Sequence, residues 1–334
     1  MRSYAVRRLA LVPFVVWGAV TVLFLLFFVL PGDPVQQLVG ERAVPETVRA
    51  NIEARYGLDQ PLYVQYGRYW GQVATGDLGE SYQSRRSVNA ILADTGAASL
   101  RLALWALVIE VVVGVVTGVV SAVRRYSFVD ALTTVSTTML VAVPVFVLGY
   151  LLQYAFGVFT FQRGLPEWLR FPVQGIGPDS WALFLWPTNG QWRHLILPAL
   201  TLASVSTALV ARLMRTTMLE TLRADYMRTA RAKGLSERQV VLGHGLRNAM
   251  IPVVTYVGLD LGVLIGSAVL TETVFNWPGM GTAIYAAILA QDAPVVLGLV
   301  LVLVLAYIAI NLLVDLSYGL FDPRIRYGDE AGSA

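Results

Sequence analysis

The sequence predicts an all-helical integral membrane protein with six transmembrane helices, and three observations carry that prediction. The first is composition: the 334-residue chain is 56% hydrophobic and only 14% charged. A soluble domain carries roughly 25% charged residues. The second is a set of apolar runs about 20 residues long, the length that a helix needs to cross hydrocarbon. They lack the period-2 alternation of a barrel strand, so helices are the spanning element that satisfies the backbone. The third is the placement of positive charge, which clusters in a subset of the connections.

Leu9–Leu30 is the first run. It exceeds a signal-peptide core, and the following Pro-Gly-Asp-Pro offers no small-residue cleavage site, so it reads as an uncleaved span. The others are Ala98–Val123, Val129–Phe159, Leu195–Met214, Ile251–Phe275 and Val295–Tyr318. Arg2, Arg7 and Arg8 precede span one, Arg124 and Arg125 separate spans two and three, and Arg324 and Arg326 follow span six. Arg215, Arg223, Arg228, Arg231, Lys233, Arg238 and Arg247 lie between spans four and five, whereas 276–294 holds no positive residue. The positive-inside rule then puts both termini and the 215–250 loop in the cytoplasm. The expected division is 1–30 (cytoplasmic N-terminus and span one), 31–97 (an extracytoplasmic domain), 98–322 (a five-span core with its loop) and 323–334 (a cytoplasmic tail).

Within 31–97, Pro45 and Gly57 bracket a short amphipathic helix. Tyr63, Tyr66 and Trp70 share one helical face, a surface for packing on span ends or the bilayer interface. Gly-Asp-Leu-Gly-Glu-Ser at 76–81 reads as a turn.

The polar stretch Asp225–Met250 interrupts the apolar pattern. Helix formers extend from Met218 to Lys233, Gly234 suits a left-handed helix end, and Ser236 stands three residues before Gln239 as a capping box. Helix, tight turn and second helix make a rigid projection suited to docking a protein. A basic segment lying on anionic lipid is the other reading of its charge.

Composition also excludes chemistry. With no cysteine and two histidines, neither a thiol nucleophile nor a cysteine-based metal site is available. A net charge of +3 does not point to nucleic acid. Lys233 is the sole lysine and lies outside any glycine-rich phosphate cradle, so the chain holds no P-loop. It is expected to be no enzyme itself. Intramembrane acids are costly and often functional. Glu110, Asp260 and Glu272 are therefore candidates for pore or gating roles, for bonds between helices, or for a proton relay in a secondary transporter. Gly114 with Gly118, and Gly258, Gly262 and Gly266, form small-xxx-small faces that allow close helix contact.

Arg-Thr-Ala-Arg-Ala-Lys-Gly at 228–234, followed by Leu-Arg-Asn-Ala-Met-Ile-Pro-Val at 246–253, resembles the EAA loop of permease subunits of ABC importers. Arg228, Thr229 and Ala230 occupy the Glu-Ala-Ala slots, Gly234 matches the family glycine and Leu246 the later leucine; His244 and Arg247 replace the usual Ile and Pro. Pro31–Pro34, Tyr56–Tyr66, the 76–81 turn, Thr271–Gly281 and Leu320–Arg326 also resemble, in order, the B-type permeases of dipeptide, oligopeptide and nickel importers. The resemblance implies the type I ABC importer permease architecture and a place in the bacterial inner membrane. It implies coupling to an ATPase through 226–243, with Arg228, Thr229, Ala230, Ala232, Lys233, Gly234, Leu235 and Leu246 as the coupling residues. It further implies a C-type permease, two ATPase subunits carrying ATP and Mg, an extracytoplasmic substrate-binding protein, and a peptide substrate. The alternative is a proton-coupled secondary transporter using the intramembrane acids.

Overall fold

The computed structural model describes residues 2–26, 45–47, 50, 59–177, 181–182, 186–187 and 190–321. The amphipathic helix expected after Pro45, the Pro31–Pro34 segment, the end of span one and the 323–334 tail lie outside the described residues. Among those described, the helices are α1 (Arg2–Phe24), α2 (Leu62–Thr75), α3 (Val88–Val123), α4 (Phe128–Ala142), α5 (Val145–Gln162), α6 (Trp192–Leu222), α7 (Asp225–Ala232), α8 (Glu237–Phe275), α9 (Met280–Leu289) and α10 (Ala293–Phe321). A two-stranded antiparallel hairpin, Trp181–Ala182 with Trp186–Pro187, is the minor exception to an all-helical chain.

Five of these helices, α3, α5, α6, α8 and α10, are long and apolar enough to cross a bilayer, and α1 contributes a shorter apolar helix over Leu9–Phe24. The expected spans thus recur, with one correction. Span three is not continuous: α4 ends at Ala142, and Val143 adopts an extended conformation (φ −89°, ψ 127°) before α5. Pro144 explains the break, because its ring disfavours helical geometry at the preceding residue and it has no N–H to donate. A second correction concerns the polar loop, where the helix expected from Met218 to Lys233 is divided at Arg223–Ala224 into α6 and α7. A short apolar helix, α9, also stands in the connection between spans five and six.

The chain divides into two compact units, residues 1–98 with 278–334, and residues 99–277. In the first, α10 packs against α1 and α9. Two of the three α2 aromatics pack as their spacing suggests: Tyr66 stacks edge-on against Phe24 at 5.1 Å and shares a 2.7 Å hydrogen bond with Thr21, and Trp70 meets Tyr66. Tyr63 stays exposed. After α2 the chain turns at Gly76 and Gly79. The Asp77 carboxylate accepts from the Gly79 N–H, and Asn89 clamps both the Leu78 N–H and the Gly76 carbonyl. Asp292, in the turn between α9 and α10, is buried and accepts from Ser81 Oγ at 2.5 Å, Tyr82 N at 3.0 Å and Gln83 N at 3.3 Å.

In the second unit, α6 is the central helix, 67% buried over its apolar window against 39% or less for the other long helices. It packs along α8 and also meets α4 and α5. Gly114 and Gly118 let α3 approach it: a Cβ at Gly114 would stand 2.7 Å from Val210, and one at Gly118 only 2.6 Å from the Ala211 carbonyl. This is the close contact that a small-residue stripe permits. On α8, Gly262 is buried whereas Gly266 has open space beside it.

Candidate functional site

The polar loop is built from its own sequence. Gly234 takes φ +80°, a left-handed conformation that costs a side-chain-bearing residue about 1–2 kcal/mol. It turns the chain out of α7. Ser236 then caps α8 reciprocally: its hydroxyl accepts from the Gln239 N–H and the Gln239 side chain accepts from the Ser236 N–H. Arg231 reaches across the turn to Glu237 at 2.7 Å. Beyond the cap, α8 passes through a π-helical stretch at Val240–Gly245.

Beneath the turn lies a small apolar cluster. Met227 and Ala230 from α7 bury against Val240, with Leu222 and Ala224 beside them. Gly245 sits so close that a Cβ there would meet the Met218 methyl at 2.8 Å. Leu246 joins the core around Val210, Met214 and Met218. The loop is therefore fastened to the ends of α6 and α8.

The expected coupling residues separate into two groups. Arg228, Thr229, Ala232, Lys233, Gly234 and Leu235 are at the surface, and Arg228 makes a long 3.7 Å contact to Asp225. Ala230 and Leu246 face inward. Ala230, named above with the coupling residues, is thus not part of the exposed face; its small side chain packs inside the turn against Val240. A residue that the sequence reading passed over, Leu242, is about half exposed beside Leu235. With Arg238, Gln239, Gly243 and His244 the two leucines line a shallow depression of about 480 Å³. No regular spacing marked Leu242 in the sequence, because Leu235 precedes the Ser236 cap and Leu242 lies in the π-helical stretch.

The intramembrane acids are all interior. Glu272 is fully buried and accepts from Ser99 Oγ at 2.6 Å, while its backbone carbonyl accepts from the Trp277 N–H. Asp260 accepts from the Tyr256 hydroxyl at 3.3 Å through one oxygen, and its other oxygen has no N–H or hydroxyl donor among the described residues. Glu110 likewise has no N–H or hydroxyl donor among the described residues, and its carboxyl interacts with that of Asp260. A fourth acid, Asp130, was not singled out by its sequence. It is buried at the start of α4 and paired with Arg215 through two nitrogens at 2.7 and 2.9 Å, with Ser121 and the Tyr126 N–H as further donors. Its signal was weak, because Arg215 lies 85 positions away.

Residues 114–327 match the family described as the binding-protein-dependent transport system inner membrane component, and residues 1–103 match its N-terminal counterpart. The chain belongs to this family. Related proteins cover almost its whole length. The dipeptide transport system permease protein DppB of Alkalihalophilus pseudofirmus is 39% identical over 98% of this chain and 100% of its own length. The di/tripeptide transport system permease protein DppB of Pseudomonas aeruginosa is 41% identical over 98% and 99%. The glutathione transport system permease protein GsiC of Salmonella paratyphi A is 40% identical over 98% and 100%. The chain is thus a multi-pass permease component of an importer that works with ATPase and substrate-binding partners, and not itself the ATPase. Nothing in the comparison supports the proton-coupled alternative.

Proposed function

We propose that the chain forms half of the translocation path of an ATP-driven importer of short peptides. The relatives named for dipeptides, di- and tripeptides and glutathione support the substrate class. In this reading the chain sits in a bacterial inner membrane with both termini in the cytoplasm. It pairs with a second, C-type permease, and two ATPase subunits carry the ATP and Mg.

The observation that carries the coupling assignment is the 225–245 loop. A helix shorter than 12 residues is marginal alone, yet α7 is held by a left-handed glycine, a capping box and a buried apolar cluster. That investment in rigidity fits an element that transmits force. Arg228, Leu235 and Leu242 form the face toward the ATPase. Ala230, Gly245 and Leu246 transmit its motion to α6 and α8, whose displacement switches the path between outward-open and inward-open states.

Gentle purification of the tagged chain from native membranes, followed by mass spectrometry, tests the reading. A second permease, a P-loop ATPase and an external binding protein that takes up dipeptides are the expected companions. Recovery of the chain alone under mild crosslinking, or a binding protein that ignores peptides, would overturn the assembly or the substrate class respectively.

A further inference from the structure

A groove of about 290 Å³ runs between α4 and α6, lined by Thr133, Thr134, Thr137, Thr138, Arg212 and Arg215. Its two arginines are in different situations. Arg215 is neutralised by Asp130. Arg212 is exposed and has no acid partner among the described residues; it makes only long contacts, Nε to Thr137 Oγ1 at 3.4 Å and Nη2 to Thr138 Oγ1 at 3.2 Å. A guanidinium carries five N–H donors in a planar fork. Most of them are therefore unspent, and the groove holds one uncompensated positive charge.

The surroundings say what kind of anion fits. Arg212 lies within one turn of the end of the apolar run Leu195–Met214, at the depth where a spanning helix meets headgroups. One helical turn further into the apolar part of each helix, Val141 shares the face of Thr137 and Thr138 on α4 and Leu209 shares the face of Arg212 on α6, and both are exposed. A polar, positively charged pocket thus has an apolar shelf on the side away from the helix ends. A free oxyanion would use only the pocket; an amphiphile with a phosphate head and acyl chains would use both.

We infer that the Arg212 groove binds the phosphate of an anionic phospholipid, with its acyl chains against Val141 of α4 and Leu209 of α6. On the orientation proposed above, this is the cytoplasmic leaflet, where basic pockets between spanning helices hold acidic headgroups. The bound lipid would tie α4 to α6 near the Asp130–Arg215 pair.

The complex purified in mild detergent and titrated with dioleoyl phosphatidylglycerol under native mass spectrometry gives the test. The wild-type chain is expected to retain one tightly bound phosphatidylglycerol in preference to phosphatidylcholine. R212Q should bind it roughly fivefold more weakly, R212K should keep most of the affinity, and R86Q, at an ion pair in the other unit, should match the wild type. Should R212Q fail to insert, T138V, which removes one hydroxyl from the groove, carries the same test with a smaller loss. Equal retention by R212Q and wild type, or an equal loss in R86Q, would overturn the site. Displacement by glycerol 3-phosphate as effective as by dioctanoyl phosphatidylglycerol would show a simple oxyanion site and remove the lipid. These outcomes do not depend on whether peptide is the cargo.

Discussion

Two loops of this permease are ordered by opposite means. The 223–239 loop is held by its own neighbours: Gly234 sets the turn, Ser236 and Gln239 cap the next helix, and Arg231 bonds Glu237 six residues on. The 76–87 loop ends its local order at Asn89 and is then pinned by Asp292, more than 200 positions away. A loop fastened locally can move as a body, which suits a coupling element. A loop fastened to a distant turn keeps two parts of one unit in register, which suits a fixed rim.

The sharpest way to break the comparison is Asp292→Ala. It removes a buried carboxylate that accepts from one hydroxyl and two backbone N–H groups. Hydrogen bonds to charged groups contribute about 1.5–3 kcal/mol each, although the three act as one unit. The expected result is a loss of about 3 kcal/mol, read as a lower thermal midpoint of the purified chain, with faster tryptic cleavage after Arg85 and Arg86. Asp292→Asn should lose less, because its amide oxygen still accepts. Unchanged cleavage in Asp292→Ala would mean that the loop does not depend on its distant fastening.

The second test acts on the self-built loop. Gly234→Val forces a β-branched residue into φ +80°, a cost of about 2 kcal/mol that falls on the turn alone. Transport should drop severalfold while membrane insertion and the thermal midpoint stay near wild type. An effect on insertion as large as that on uptake would deny the loop its independence. Ser236→Ala should act in the same direction with about 1 kcal/mol, the usual worth of an N-cap, and its readout is the amide exchange of residues 237–240.

The contrast also explains what could be read without a structure. Gly234 and the Ser236–Gln239 box were legible because their partners lie within a few residues and obey fixed spacings. The six apolar runs were legible because length and hydropathy are additive along the chain. Asp292 was visible only as the lone acid in a connection without positive charge, since nothing in the sequence says that Ser81 comes to it. Asp130 and Arg215 were hidden for the same reason. Glu110 could be recognised as costly, but not that it interacts with another carboxyl, Asp260 on α8. The break at Pro144 was local and readable, yet the apolar run across it dominated the length criterion. The resemblance named Ala230 with the coupling residues, but nothing in its local pattern says that it packs inward against Val240.

The smallest expected effect sharpens the comparison from the other end. Arg231 and Glu237 bridge the turn with good geometry, but their side chains are 38% and 67% exposed. Water screens such a pair, and holding two long side chains in one arrangement consumes entropy, so exposed ion pairs contribute only about 0.2–1 kcal/mol. Glu237→Gln is therefore expected to leave the thermal midpoint and peptide uptake within error of the wild type at physiological salt. Glu237 also occupies the first turn of α8, where a negative charge favours the helix dipole, so the residual loss should shrink further as salt is raised. A large defect in Glu237→Gln would locate the order of the loop in its charges, and the glycine turn and capping box would then be passengers of the ion pair.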